Sequence, residues 1–396
     1  MTSKKKSGKA TWLVMAAVVV ILLVAAFTTT AESVQQSFWA LVPPIVAISL
    51  ALATKEVYSS LFVGVVTGGL LYSGFSFEGT INHVYTDGVV KVLSDPYNVG
   101  ILIFLVILGI IVSLMNKSGG SAAFGRWAQT KIKNRVGAQL ATIGLGSLIF
   151  IDDYFNCLTV GSVMRPVTDK FQISRAKLAY LIDSTAAPIC IIAPISSWAA
   201  AVSGFVPGDT NGIALFIQCI PYNFYALFTI LFMICIAVMK SDYGLMELHE
   251  LNAIKGDLYT TSERPYDSFE EGIKEEGGHL LDMLLPVLVL IVCCVIGMIW
   301  SGGFFEGTSF VESFSNSDAS VGLAVGSFFG LIITLVLYMA RRVMTFSEFM
   351  ECVPQGFVSM ITPILILTFA WALKSMTDSL GAAPYVAGLI ENSAGA

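Results

Sequence analysis

The feature that constrains this chain most is a group of carboxylates inside segments that are otherwise apolar enough to enter a lipid bilayer. Residues 136–164, VGAQLATIGLGSLIFIDDYFNCLTVGSVM, hold Asp152, Asp153 and Asn156 near their centre. A second apolar segment, LAYLIDSTAAPICIIAPISSWAAAV, holds Asp183. A carboxylate at the bilayer midplane costs roughly 2.5–3.5 kcal/mol on insertion scales, so it is retained where a cation, a proton or water shares the site. We therefore interpret these segments as an intramembrane cation or proton site rather than as capping and helix-pairing groups.

The composition predicts a membrane protein with several spans. The 396 residues are 55% hydrophobic and only 13% charged, whereas about 25% of the residues in a soluble domain are charged. Several apolar runs approach the length of about 20 residues that a helix needs to cross a bilayer. The seven cysteines lie in or beside these runs without CxxC spacing, which indicates buried thiols rather than disulfides or metal ligands. The predicted fold class is an all-α polytopic membrane protein.

The distribution of Lys and Arg predicts the orientation of the chain, because cytoplasmic loops are enriched in these residues. The lysines at 4–9 place the N-terminus in the cytoplasm, and the basic residues at 117–135 lie on the same side. The next basic cluster, at 165–177, is cytoplasmic only if residues 136–164 enter and leave the membrane on one side. The pattern therefore favours a re-entrant hairpin that turns near Asp152 and Asp153, with a single long tilted helix as the alternative.

These features divide the chain into four parts. They are a basic cytoplasmic N-terminus with the first helix (1–38), a first repeat (39–239), an acidic cytoplasmic linker (240–278) and an incomplete second repeat (279–396). The first repeat contains the hairpin at 136–164 and a helix at 176–203 that Pro188 and Pro194 should kink or break, since proline lacks a backbone donor. The simplest interpretation of the linker is a solvated connection, and a regulatory or cation-gathering loop is the alternative.

Two short blocks indicate an internal repeat. MNKSGGSAAF begins at Met115 and MTDSLGAAPY begins at Met376, and each block follows an apolar helix and precedes an amphipathic stretch. The charge distribution gives the two helices opposite orientations, which predicts an inverted repeat of the kind that places a transport site at the repeat interface. The second copy ends at Ala396, where its own hairpin should begin. We therefore expect a C-terminally truncated transporter, and a naturally minimal protein is the alternative.

In IDDYFNCLTVGSVMRPVTDKF and the following ISRAKLAYLIDSTAAPICIIAPISSW, the sequence resembles the NhaC-type sodium/proton antiporter family of the ion-transporter superfamily. The similarity is strongest there and extends more loosely over most of 40–390. The resemblance implies an inverted-repeat fold with two re-entrant hairpins, and exchange of external protons for internal sodium at the plasma (inner) membrane of a bacterium. It also implies a homodimer. Related members carry organic solutes such as amino acids, malate or lactate.

The candidate site residues are oxygen donors, because sodium is a hard cation that prefers carboxylate, hydroxyl and backbone carbonyl ligands. We expect one acid of the adjacent pair to line the pathway and the other to cap the outgoing half-helix, since acids favour helix N-termini. The candidate cation- and proton-binding residues are Asp152, Asp153, Asn156, Thr159, Asp183, Ser184 and Thr185. Weaker candidates for lining the pathway are Ser196, Ser197 and Trp198.

Sodium/proton antiport is the leading functional hypothesis. Burial raises the pKa of a carboxyl group and bound sodium favours its ionised form, so the two cations compete for one site. The alternatives are sodium-coupled transport of a small organic solute, such as an amino acid or carboxylate, and a non-transporting truncated fragment. The sequence holds no Walker motif, metal-ligand cluster or nucleophile–base pair. We therefore expect no enzyme activity, no cofactor beyond the transported Na+ and H+, and no nucleic-acid partner. The expected partners are the lipid bilayer, small cations and, in one alternative, an organic solute.

Overall fold

A computed structural model describes residues 2–196, 198–199, 202, 212–261 and 278–394. These residues form helices and, within those ranges, no β-strand. In chain order the α-helices are α1 (Thr2–Thr28), α2 (Val42–Thr54), α3 (Val57–Tyr72), α4 (Phe77–Asn82), α5 (Lys91–Ser94), α6 (Pro96–Lys117), α7 (Gly120–Lys131), α8 (Arg135–Leu148), α9 (Asp153–Lys170), α10 (Arg175–Cys190), α11 (Gly212–Cys219), α12 (Phe224–Met239), α13 (Gly244–Ile254), α14 (Leu281–Ser301), α15 (Phe310–Ser315), α16 (Ala319–Ala340), α17 (Phe346–Ser359), α18 (Ile361–Ser379) and α19 (Ala382–Ala394). The prediction of an all-α fold is confirmed.

Several of these helices can cross a membrane. In the described part of the chain, five are long and apolar enough, and a sixth span arises if the consecutive helices α17 and α18 act as one. The five lie within Thr11–Thr28, Pro96–Lys117, Phe224–Ile254, Leu281–Ser301 and Ala319–Ala340. The chain is therefore a multi-pass membrane protein.

The helices pack into two compact units. The first contains residues 1–99 and 361–396, and the second contains residues 100–360. In the first unit α3 packs against both α2 and α18, and in the second the closest pair of helices is α14 with α16. This division follows packing rather than sequence repeats, so the boundaries of the two repeats stay a prediction.

A buried histidine in the first unit lies in a π-helix, His83–Val90, that packs against α18. His83 Nδ1 lies 2.9 Å from Asp87 Oδ2, and its Nε2 lies 2.9 Å from Ser379 Oγ. The ring of Tyr72 stacks on the imidazole with 3.7 Å between ring centroids. These contacts give both ring nitrogens a hydrogen-bonding partner inside this unit.

The predicted hairpin in the second unit is two helices with a break between them. Asn134 caps α8 by accepting a hydrogen bond from the Gly137 backbone at 2.7 Å. Asp152 caps α9 in the same way, with its Oδ1 2.8 Å from the Phe155 nitrogen. Residues 149–152 between the two helices lie outside any helix, so residues 136–164 are not one continuous helix, and whether they cross the membrane stays a prediction. The second arm is longer than expected, since α9 continues past residue 164 to Lys170.

The two ends of this pair of helices meet at one carboxylate. Glu250 of α13 binds the guanidinium of Arg135, the first residue of α8. The other oxygen of the same carboxylate, Oε1, accepts a hydrogen bond from the Ser174 nitrogen at 2.8 Å, just after α9 ends. Glu250 therefore holds the start of α8 close to the start of α10.

The second polar helix breaks later than the prolines suggested. Pro188 stays inside α10, which ends at Cys190. Residues 191–196 then form turns in which the Ile192 and Ala193 nitrogens bond back to the carbonyls three residues earlier. Pro194 lies in this break, and most of the predicted continuation to residue 203 falls outside the described residues.

The two repeat blocks adopt similar local structures. The first runs from the end of α6 through Gly119, whose φ of 75° is left-handed, into α7. The second runs from the end of α18 through Gly381, whose φ of 73° is also left-handed, into α19. A left-handed residue that ends one helix favours glycine because it has no Cβ. The shared conformation supports a repeat, while its inverted orientation stays a prediction.

Candidate functional site

The candidate site forms where α8, α9 and α10 meet. A Cβ atom on Gly146 of α8 would lie only 2.2 Å from the Thr185 Oγ1 of α10, so glycine at this position allows the two helices to touch. Asn156 of α9 joins the same junction, because its Nδ2 donates to the Gly146 carbonyl at 2.6 Å. The same amide nitrogen also donates to the Ile149 carbonyl at 2.7 Å, in the break before α9.

The side-chain oxygen of Asn156 is the most informative atom of this junction. Asn156 has no exposed surface, and among the described residues its Oδ1 has no hydrogen-bond donor. An unsatisfied buried acceptor costs about 1–3 kcal/mol. The two hydrogen bonds of Nδ2 fix the orientation of the amide, so Oδ1 is held as an acceptor that a cation or a water molecule can satisfy.

The adjacent acids differ in position. Asp152 is 2% exposed and is the acid that caps α9. Asp153 is half-buried and is the first residue of that helix. Thr159, which shares the helical face of Asp152 and Asn156, is also buried. This face of α9 therefore points into the protein, and Asp153 lies off that face.

The three candidate site residues of α10 differ in their exposure to solvent. Asp183 is exposed, whereas Ser184 and Thr185 are buried. Thr185 Oγ1 donates to the Leu181 carbonyl at 2.8 Å. Pro188 has no N–H, so the Ser184 carbonyl loses the donor that an α-helix supplies from four residues ahead. The Ser184 carbonyl is therefore a further candidate ligand.

Three carboxylates lie in the neighbourhood of one thiol. Cys157 of α9 interacts electrostatically with Asp153, Asp183 and Asp152. Cys190 at the end of α10 interacts with Asp152 and Asp153 in the same manner. Asp183 therefore lies in the neighbourhood of the hairpin acids, while a shared cation site stays a prediction.

The weaker candidates receive less support. Ser196 is buried and donates to the Cys190 carbonyl at 2.7 Å, while its oxygen accepts from the Ala199 nitrogen at 3.1 Å. Its hydroxyl is thus used to hold the break after α10. Trp198 is exposed, and Ser197 lies outside the described residues.

The acids do not form a dedicated metal centre. In the described ranges, no three His, Cys, Asp or Glu side chains are grouped as ligands of one metal ion. The candidate oxygens near the junction of α8, α9 and α10 belong instead to an amide, hydroxyls, backbone carbonyls and dispersed carboxylates. This set suits a weakly held monovalent cation better than a tightly bound divalent ion.

Comparison with known proteins identifies the class to which this arrangement belongs. Residues 189–394 match the model of the Na+/H+ antiporter family. The chain belongs to this family. It is also 35% identical over 373 residues to an uncharacterized protein of Haemophilus influenzae, with 90% of this chain and 70% of that protein covered. No solved structure matches the chain. Family membership identifies a membrane-embedded cation/proton antiporter, a transporter rather than an enzyme.

The sequence analysis did not include two members of the candidate site. Gly146 belongs to a GLG tripeptide that has no nucleotide-binding pattern, and its role in helix contact follows only from Thr185 on a different helix. The Ile149 carbonyl is free to accept from Asn156 because α8 ends one residue earlier, and the sequence does not define that end. Small residues in a polar membrane segment are the one signal that could have indicated a close helix contact.

Replacing Gly146 with alanine should lower stability by about 1–3 kcal/mol, because the new methyl group overlaps the Thr185 side chain in a packed interface. Gly144, two residues earlier on the same helix, is the matched control, since a Cβ there meets nothing within 4 Å. Gly144→Ala should be neutral or stabilising because alanine favours helices. Thermal unfolding of both variants in detergent measures the difference, and equal midpoints would contradict the contact.

Proposed function

We propose that this protein is an NhaC-type antiporter that exchanges sodium for protons across the bacterial plasma membrane. The observation that carries the proposal is the buried Asn156 Oδ1, which is oriented by two hydrogen bonds and has no donor among the described residues. It lies on the buried face of α9 that also carries Asp152. A sodium ion would satisfy this oxygen and balance the nearby carboxylates at the same time.

The candidate residues have different roles: some bind the ion, and others gain or lose a proton. Asp152 already accepts the Phe155 N–H as the cap of α9, so its first task is to fix the turn. Asp153 and Asp183, which are more exposed, are the acids that exchange a proton for sodium. The neutral ligands are the oxygens of Asn156, Thr159, Ser184 and Thr185.

The coupling follows from competition at these carboxylates. A carboxylate that binds sodium must be ionised, and a protonated one no longer attracts the ion. Binding of either cation therefore excludes the other. If the site opens to one side of the membrane at a time, sodium leaves in exchange for protons.

Transport by purified protein tests this function. In proteoliposomes with an internal pH-sensitive dye, sodium added outside should release protons from the lumen. Lithium serves as a second small cation for comparison. A panel of amino acids and carboxylates should release none. Proton release driven by an organic solute but not by sodium would replace antiport with solute transport, and no response to any of them would contradict both.

The re-entrant hairpin is supported by Glu250, which joins the first residue of α8 to the cap of α10. We predict that Lys170, which is exposed at the end of α9, faces the cytoplasm. In a background without reactive native cysteines, Lys170→Cys should resist an external impermeant maleimide in intact cells. Lys91→Cys, in the segment 74–97 that the charge pattern places outside, should react. Rapid external labelling at position 170 would show that residues 136–164 cross the membrane.

A further inference from the structure

The first part of the acidic linker is folded. Helix α13 is followed by a loop in which Asp257 Oδ1 accepts hydrogen bonds from the Tyr259 nitrogen at 3.2 Å and the Thr260 nitrogen at 3.1 Å. The Asp257 nitrogen bonds back to the Asn252 carbonyl at 3.0 Å. Residues 242–261 therefore form a defined element, which we call the clasp.

The clasp caps the amino end of α10. Glu250 Oε1 accepts the Ser174 N–H, and the Leu258 carbonyl accepts the Arg175 N–H at 3.0 Å. The first N–H groups of a helix have no partner within it, so these two bonds satisfy donors that would otherwise be unpaired. The negative charge of Glu250 at this end is also favoured by the helix dipole.

Two ion pairs complete the attachment. Glu250, which is 5% exposed, binds Arg135 at the start of α8. Asp242, at the beginning of the clasp, binds Lys177 of α10, whose side chain is 1% exposed. The clasp therefore contacts the first turn of both helices through charges that are largely removed from water.

The clasp also fixes how α8 and α10 lie along each other. Arg135 and Ser174 meet at Glu250, and eleven residues further along each helix Gly146 meets Thr185. At 1.5 Å per residue the second contact lies about 16 Å from the first on both helices. The helices therefore run parallel in one register, and that register is the one in which Asn156 reaches the Gly146 carbonyl.

We propose that the clasp holds the hairpin and α10 in the register that the cation site requires, with Glu250 as its positioning residue. The effect of the clasp on sodium binding rests on the proposed antiport. Its effect on the packing of α8 and α10 does not depend on that function. Glu250 itself lies near the first residues of the helices and touches no candidate ligand in the described contacts. Its influence on the site is exerted through α8 and α10.

Glu250→Gln tests the proposal, because it keeps the size of the side chain and removes the charge that binds Arg135. Glu247→Gln, an exposed acid on the same helix, is the matched control. Arg135→Gln is a second variant that removes the same ion pair and leaves Glu250 bonded to Ser174, for use if Glu250→Gln fails to fold. The two measurements are hydrogen–deuterium exchange of purified protein and the sodium dependence of proton release in proteoliposomes.

We expect faster deuterium uptake at residues 146–156 in Glu250→Gln and in Arg135→Gln. The uptake in Glu247→Gln should equal that of the wild-type protein. The apparent KM for sodium should rise roughly tenfold with little change in Vmax, since substitutions that act on a distant site through packed helices change the coupling by about this order. Uptake that changes only within 242–261, or an unchanged KM in a transporting protein, overturns the positioning role. If the wild-type protein exchanges no sodium, the proposed antiport fails while the deuterium comparison still decides whether the clasp fixes the hairpin.

Discussion

Asp153→Asn and Asp183→Asn should each reduce sodium-dependent proton release by at least about 100-fold, because an amide neither takes up a proton nor carries the charge that attracts sodium. Both side chains are more exposed than Asp152, and both lie in the neighbourhood of Cys157. The measurement is the initial rate of proton release in proteoliposomes. Equal amounts of inserted protein must be compared, so that a loss of rate is separated from a loss of folding.

Asp152→Asn is the control for this prediction. Asparagine caps a helix about as well as aspartate, so the hydrogen bond from the Phe155 nitrogen should persist. We expect this variant to fold normally and to lose less activity than Asp153→Asn. Wild-type exchange in Asp183→Asn and in the Asp152→Asn/Asp153→Asn double variant would show that the site lies elsewhere in the protein.

The largest effect on stability is expected for Asp242→Asn. This change leaves the ammonium group of Lys177 buried without its carboxylate, at the amino end of α10 where the helix dipole also disfavours a cation. Removing one partner of a buried ion pair typically costs about 3–5 kcal/mol. Thermal and denaturant unfolding in detergent should show a loss of this size.

Lys177→Met in the same background is the compensating change. It removes the unpaired charge and keeps a long apolar side chain beside Tyr180, whose ring lies 5.7 Å from the Lys177 ammonium. The double variant should recover most of the lost stability. If Asp242→Asn and the exposed control Glu247→Gln unfold at the same midpoint, the ion pair of Lys177 does not stabilise the protein as predicted.

Much of the architecture could be predicted because it depends on local patterns. The length of the apolar runs predicts membrane helices. The basic cluster at 165–177, which follows an apolar segment with acids at its centre, indicated a break near Asp152. The sequence could not tell which of the two acids caps α9. Asp152 is the cap and Asp153 is the first helical residue, but a helix that began one residue later would be capped by Asp153 instead. The conformation of the whole break at 149–152 determines where the helix begins.

The clasp could not be predicted because its contacts join distant parts of the chain. Glu250 and Arg135 are 115 residues apart, and Asp242 and Lys177 are 65 residues apart. In the sequence, Glu250 and Asp242 are two acids among many in a polar linker, a composition typical of solvated loops. Only the packing of α13 against α10 shows that these two are turned inward.

The parallel register of α8 and α10 has a consequence for how an antiporter of this design can move. The two helices are joined at their first turns through Glu250 and in close contact at Gly146 and Thr185, so neither can slide along the other without breaking both contacts. Packed helix pairs shift between discrete arrangements rather than deforming continuously. We therefore expect any conformational change of this transporter to displace the two helices together, as one rigid body.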